Sequence, residues 1–161
     1  TIHVPLPDGS SIRGWHLLPA GEAATRSAHI TDPAEREDFF DNALRQADIV
    51  VLSLHGNAGN RGTRDRVAEN RMLASQTRSR NCHVIAIDYR GFGDSTGWPT
   101  HWPSEESTAE DSMALWRWLE RRLLPGDTRN GQYDNASQDD DEPDALARCN
   151  ATLPKVFIYG H

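Results

Sequence analysis

Three short apolar runs stand out along an otherwise polar chain. They are Ile49-Val50-Val51-Leu52-Ser53-Leu54, His83-Val84-Ile85-Ala86-Ile87-Asp88 and Lys155-Val156-Phe157-Ile158-Tyr159. Each is continuous rather than alternating and too short for a helix, which predicts strands buried on both faces. Ahead of them, residues 2–6 and 11–18 are apolar-rich and flank Pro7-Asp8-Gly9. Proline presets φ and glycine accepts a positive φ, so this is a turn signal, and it predicts an opening β-hairpin.

Helical spacing fills two of the gaps. Residues 64–79 carry helix formers with a modest stripe of Val67, Ala68, Met72 and Leu73. Ser107-Thr108-Ala109-Glu110 has the spacing of a capping box and predicts a helix start there. Ala109, Met113, Trp116, Leu119 and Leu123 then recur on one expected face, and Pro125-Gly126 ends it. Residues 19–47 read as a connection with one short helix around Phe39, Phe40 and Leu44. Strand, helix, strand, helix, strand in this order predicts an α/β architecture, a parallel βαβαβ sheet behind the antiparallel hairpin.

Composition changes this picture in one place. The chain has 161 residues, enough for one domain, and a formal charge of −7. Residues 126–153 hold seven acids (Asp127, Asp134, Asp139, Asp140, Asp141, Glu142 and Asp144) against Arg129 and Arg148, a net of −5. Little apolar surface with high charge does not offset ordering entropy, so a disordered acidic insertion within one incomplete domain, residues 1–161, is expected. Its sequons, at Asn135 and Asn150, would accept glycans there. The acidic balance gives no reason to expect a nucleic-acid partner. Cys82 and Cys149 form no C-x-x-C, and no H-E-x-x-H occurs, so spacing points to no metal site and no cofactor. One bridge between the two cysteines stays open. No apolar stretch reaches the ~20 residues of a membrane helix.

The candidate chemistry lies in two glycine-rich loops, each straight after a predicted strand. His55-Gly56-Asn57-Ala58-Gly59-Asn60 follows the first. A phosphate loop needs four residues between its glycines and then a lysine, whereas five separate Gly56 from Gly62 and Arg61 precedes Gly62. A dinucleotide turn needs G-x-G-x-x-G; Gly91-Phe92-Gly93 is followed by Gly97, one residue late. An oxyanion hole needs backbone N–H groups at the carboxyl end of a strand, and Gly56, Asn57 and Ala58 are placed to offer them. A plain tight turn is the competing reading of a bare H-G.

Asp88-Tyr89-Arg90-Gly91-Phe92-Gly93-Asp94-Ser95 follows the second strand. H-G-N-A-G-N-R-G after one strand and D-Y-R-G-x-G-D-S after the next resemble the α/β-hydrolase superfamily. Within it the chain is most similar to the abhydrolase-domain lysophospholipase and monoacylglycerol lipase group. Gly14-Trp15-His16 and Asp41-Asn42-Ala43-Leu44 carry the likeness upstream. The resemblance spans roughly residues 10–125 and 155–161; the acidic stretch departs from it.

Gly93-Asp94-Ser95-Thr96-Gly97 fits the nucleophile pattern G-x-S-x-G to the letter. That motif works only on a strained strand-to-helix turn. Ser95 lies seven residues past Asp88, with Pro99 and Pro103 before the next helix, so it is rejected as nucleophile. Asp88 and Arg90 are read as loop-bonding groups. Gly160-His161 supplies the first two letters of G-H-S-x-G, and the resemblance places the nucleophilic serine next, with the acid and histidine of the triad later. The chain thus reads as the N-terminal portion of an α/β-hydrolase fold, ending at the nucleophile elbow, with no catalytic residue of its own and a last strand left as an apolar edge.

The resemblance implies a serine hydrolase cleaving carboxylic, lipid-derived acyl esters through an acyl-enzyme, inactive as this chain alone. Its partners would be an acyl ester or lysophospholipid and a membrane surface, which the apolar Trp98–Pro103 stretch would touch. The resemblance to that group also implies association with the endoplasmic reticulum membrane. The alternative is a non-catalytic, hydrolase-like binding or regulatory module.

Overall fold

The structure is a computed structural model and describes residues 1–19, 21–75, 81–97, 102–124 and 153–160. The elements in chain order are β1 (Ile2–Pro5), β2 (Ser11–Leu17), α1 (Glu22–His29), α2 (Pro33–Arg45), β3 (Ile49–Leu54), α3 (Arg64–Ser75), β4 (Cys82–Asp88), α4 (Glu105–Leu123) and β5 (Lys155–Gly160). The five strands make one sheet in the order β1-β2-β4-β3-β5. β1 with β2, and β2 with β4, are antiparallel. β3 is parallel to both β4 and β5.

The hairpin forms as its sequence predicts. Leu6 N–H donates to Ser10 O and Gly9 N–H to Leu6 O, closing the turn. Gly14 is where β2 can lie close to its neighbours: a Cβ there would stand 2.8 Å from both the Ala86 carbonyl and the Ile2 side chain.

β4 sits in the middle of the sheet and all seven of its residues are buried. Alternation divides the core between the two faces. Val50, Leu52, Ile85 and Ile87 pack with Leu44 of α2 and Leu115, Leu119 and Leu123 of α4. Val51, Cys82 and Val84 pack on the other face with Ala74 of α3. Helices therefore cover both sides, which is why β3 and β4 are apolar without a break.

Four expectations are corrected. Residues 19–47 hold two helices, not one short one. α2 starts at Asp32-Pro33, where the Asp32 carboxylate accepts from Glu35 N–H, but only Leu44 of it is buried, so its apolar signal is faint. α4 begins three residues earlier than Ser107-Thr108-Ala109-Glu110 predicts: Ser104 is the cap, and the Ser104 and Ser107 hydroxyls each accept the other's backbone N–H. The buried face of α4 is Asp111, Leu115, Trp118, Leu119 and Leu123, while Met113 is exposed. The apolar count slid onto the wrong face because Asp111, the first buried position, is a carboxylate. Third, α3 buries Asn70 and Ala74 rather than Met72. Fourth, β5 is not buried on both faces: Phe157 and Ile158 are 53% and 67% exposed. An apolar run shows that a strand exists but not how many neighbours it has. The exposed apolar edge itself matches expectation.

The acidic stretch apart from Leu153, Cys149, both sequons, residues 98–101 and His161 lie outside the described residues. No helix among the described residues is long and apolar enough to cross a membrane.

A histidine pair under α2, His83 buried and His16 partly so, links stability to pH. His83 Nε2–H donates to Asn81 Oδ1 at 3.0 Å, which leaves His83 Nδ1 to accept from His16 Nε2–H at 2.7 Å. Burial lowers the His16 pKa to about 3, with the His83 ring adding to it, and lowers that of His83 to about 4. The unfolded chain takes up both protons near pH 6.5 and the folded chain refuses them. Stability is therefore complete above neutrality and falls as pH drops from about 6.5 towards 4. Urea unfolding at pH 7.5 and at pH 5 should differ by roughly 2–4 kcal/mol, and His83→Gln should flatten the difference.

Candidate active site at the carboxyl ends of β3 and β4

β3 and β4 are parallel neighbours whose outgoing connections run to opposite faces, β3 to α3 and β4 to α4. Such a reversal opens a crevice beyond the carboxyl ends of the two strands. A cavity of about 370 Å³ lies there. The loop after β3 lines it with His55, Gly56 and Asn57, and the loop after β4 with Tyr89 and Phe92. Its remaining wall is the start of α4, with Pro103, Ser104, Glu105 and Thr108. Ala58 is exposed and does not line it. A second cavity, of about 380 Å³, lies under α2 and α4 at the β1 side and involves neither glycine loop.

His55 is part of the loop's frame. Its Nδ1–H donates to Gly56 O at 2.8 Å, and its ring meets Tyr89 and Phe92 edge-on, each at 5.0 Å. Its Nε2 has no hydrogen-bond partner and faces Asp88 Oδ1 at 3.4 Å. Burial lowers the His55 pKa, although the Gly56 carbonyl and Asp88 pull the other way, so the ring is neutral at pH 7.

The rest of the loop is tied down by Arg61. Its backbone N–H and its guanidinium both donate to the Asp88 carboxylate, and the guanidinium also reaches Asp94. It lies over Trp15 of β2 at 4.8 Å. The Arg61 bond holds the Asp94 carboxyl below its ordinary range. Asn60 adds a local clasp: its side chain accepts from Gly62 N–H, and its carbonyl from Thr63 and Arg66. Asp88 thus bonds the loop, as the sequence reading has it.

Arg90 does the same for the second loop. Its backbone N–H and Nε–H donate to Asp111, which is fully buried, and its terminal nitrogens to Asp8 and Glu110. One guanidinium thereby joins the hairpin turn, the loop after β4 and helix α4.

Ser95 is buried, and its hydroxyl is already in use. It donates to Asp88 O at 2.5 Å and accepts from Arg13 N–H at 2.7 Å. Among the described residues no strand ends directly before it and no helix starts directly after it, so it lacks the setting of a nucleophile. Gly160, by contrast, ends β5 in register with Leu54, one residue from His55. β5 therefore delivers its last residue to the same end of the sheet as the glycine loop.

Sequence reasoning missed Arg61, Asp111 and Glu105. Arg61 had a signal, since it adjoins the glycine loop, but its partners are 27 and 33 residues away. Among the described residues, no group of three or more His, Cys, Asp or Glu side chains stands close enough to hold a metal ion.

The same overall fold is found among solved structures. Est1E from Butyrivibrio proteoclasticus, with ferulic acid bound, superposes with a TM-score of 0.55 over 100% of this chain and 42% of its own, at 12% identity. The chain has the α/β-hydrolase fold. It carries an N-terminal portion of that fold. It is 36% identical over 118 residues to the lysophosphatidylserine lipase ABHD12 of Danio rerio, covering 73% of this chain and 27% of the relative. The Gallus gallus lipase of the same name is 37% identical over 108 residues, 67% of this chain and 25% of the relative. Protein ABHD12B of Homo sapiens is 31% identical over 110 residues, 67% of this chain and 26% of the relative. The chain thus spans about a quarter of the length of these curated relatives. No family model matches it.

Proposed function

We propose that this chain supplies the oxyanion-binding half of a serine ester hydrolase that acts on lipid-derived acyl esters. The observation that carries this reading is the cavity at the β3–β4 crevice, walled by Gly56 and Asn57. Backbone N–H groups there would meet the charge that develops on a carbonyl oxygen under attack. Support comes from β5, which brings Gly160 alongside Leu54, so that a serine following Gly160-His161 would face the same cavity. Gly160 and His161 would flank the elbow, and no catalytic residue lies in the present chain. Residues 1–161 would belong to one incomplete domain, with the acidic stretch 126–153 an insertion in its sequence. The lipid preference follows the printed names of the relatives. Trp102, 78% exposed beside the cavity residue Pro103, would meet a membrane or lipid surface.

The test is covalent labelling with a fluorophosphonate, mapped by mass spectrometry, on this chain and on the chain continued through its native sequence. Label should appear only in the continued form, on the serine after His161, and Ser95→Ala should leave it unchanged. Label on Ser95 would overturn the reading.

A further inference from the structure

The carbonyl and the N–H of one peptide unit point in opposite directions, because the trans amide is planar. Fixing one end therefore fixes the other. In the peptide between Gly56 and Asn57 the carbonyl end is held: it accepts from His55 Nδ1–H at 2.8 Å. The N–H end, on Asn57, has no hydrogen-bond partner among the described residues. Asn57 lines the cavity. The bonds made by Asn60 and Arg61 serve the loop from Asn60 onwards and leave this peptide alone. Gly56 has no Cβ, so the peptide could turn over at little steric cost. Turned over, it would offer the cavity a carbonyl oxygen in place of an N–H. The ring that holds it is itself fixed: His55 is buried and meets Tyr89 and Phe92 edge-on, each at 5.0 Å.

We propose that His55 is a positioning residue: by holding the Gly56 carbonyl it aims the Asn57 N–H at the ester oxygen that takes up negative charge. The inference rests on reading the cavity as the ester site. It depends on one proton at one atom. A carbonyl only accepts, so the neutral ring carries its proton on Nδ1, and Nε2, 3.4 Å from Asp88 Oδ1, is left as a lone pair. The ring takes no proton from the substrate and gives none to it; it acts through the peptide. Removing an oxyanion donor outright costs about 10²–10³-fold in kcat, and a donor turned away for much of the time costs on the order of 10–100-fold.

The test uses the chain continued through its native sequence, with p-nitrophenyl butyrate and the thiono analogue of that ester as substrates. Sulfur is the larger and weaker acceptor, so an intact oxyanion site favours the oxygen ester and a damaged one discriminates less. Asparagine places an amide N–H near the position of histidine Nδ1, and glutamine near that of Nε2. His55→Gln is expected to lower kcat on the order of 10–100-fold with little change in KM, and to lower the oxygen-over-sulfur ratio. His55→Asn should recover most of both losses. The ring nitrogen NMR signals of His55 in the unsubstituted protein should show its proton on Nδ1. If both variants lose kcat equally, if KM carries the loss, if the ratio does not move, or if the proton sits on Nε2, His55 only packs there and the inference fails while the hydrolase reading stands. If the continued protein hydrolyses neither ester, the hydrolase reading fails and this inference with it.

Discussion

Arg90→Ala is expected to destabilise the chain by about 3–5 kcal/mol, seen as a lower urea midpoint with an unchanged slope. The reason is the group left behind. Asp111 is fully buried on the inner face of α4, and two of its bonds come from Arg90. Burial already pushes the Asp111 carboxyl up, and the Arg90 bonds pull against it. Truncating the guanidinium leaves the carboxylate with the backbone N–H alone. It must then stay charged in an apolar setting or take up a proton, and either is costly. Glu110 and Asp8 are about half exposed and contribute little of this, since water replaces a lost partner there. The double variant Arg90→Met, Asp111→Leu separates the two effects. With no charge left in the core it should regain most of the lost stability. If the double variant is as unstable as Arg90→Ala, the hydrogen bond to the Arg90 backbone rather than the charge pair holds the loop.

That network also shows where the sequence could and could not be read. β3, β4 and the hairpin were legible because burial on both faces forces an unbroken apolar run, and a turn forces Pro-Asp-Gly. That Gly56 and Asn57 lie in a loop straight after a buried strand was legible from the glycines that follow the apolar run. The inner face of α4 was not, because its first buried residue is Asp111, whose partner lies 21 positions away. The same holds for Arg61 and Asp88, joined across 27 positions. Glu105 enters the cavity only because α4 begins at Ser104, three residues ahead of the expected box. Local patterns name elements; which polar groups meet is decided by the chain's return path.

The first loop depends on the second through a contact made possible by a missing side chain. Gly93 has φ +52°, and a Cβ built there would fall on the Asp88 carboxylate. Asp88 is the anchor of Arg61, whose backbone N–H belongs to the loop that carries Gly56 and Asn57. Gly93→Ala therefore adds a methyl group where the carboxylate already lies, on a backbone that alanine adopts poorly. Either the 91–95 turn moves or Asp88 swings off Arg61 and leaves a buried guanidinium short of its partner. The expected loss is about 3–5 kcal/mol. Gly9→Ala is the matched control. It also has positive φ, +83°, but its Cβ would meet nothing within 4 Å, so only backbone strain of about 1 kcal/mol is expected. A second readout ties the effect to the site: Gly93→Ala should shift the Gly56 and Asn57 amide signals, and Gly9→Ala should not. Equal losses in the two variants would mean that the turn conformation, not the Asp88 contact, is what glycine provides at position 93.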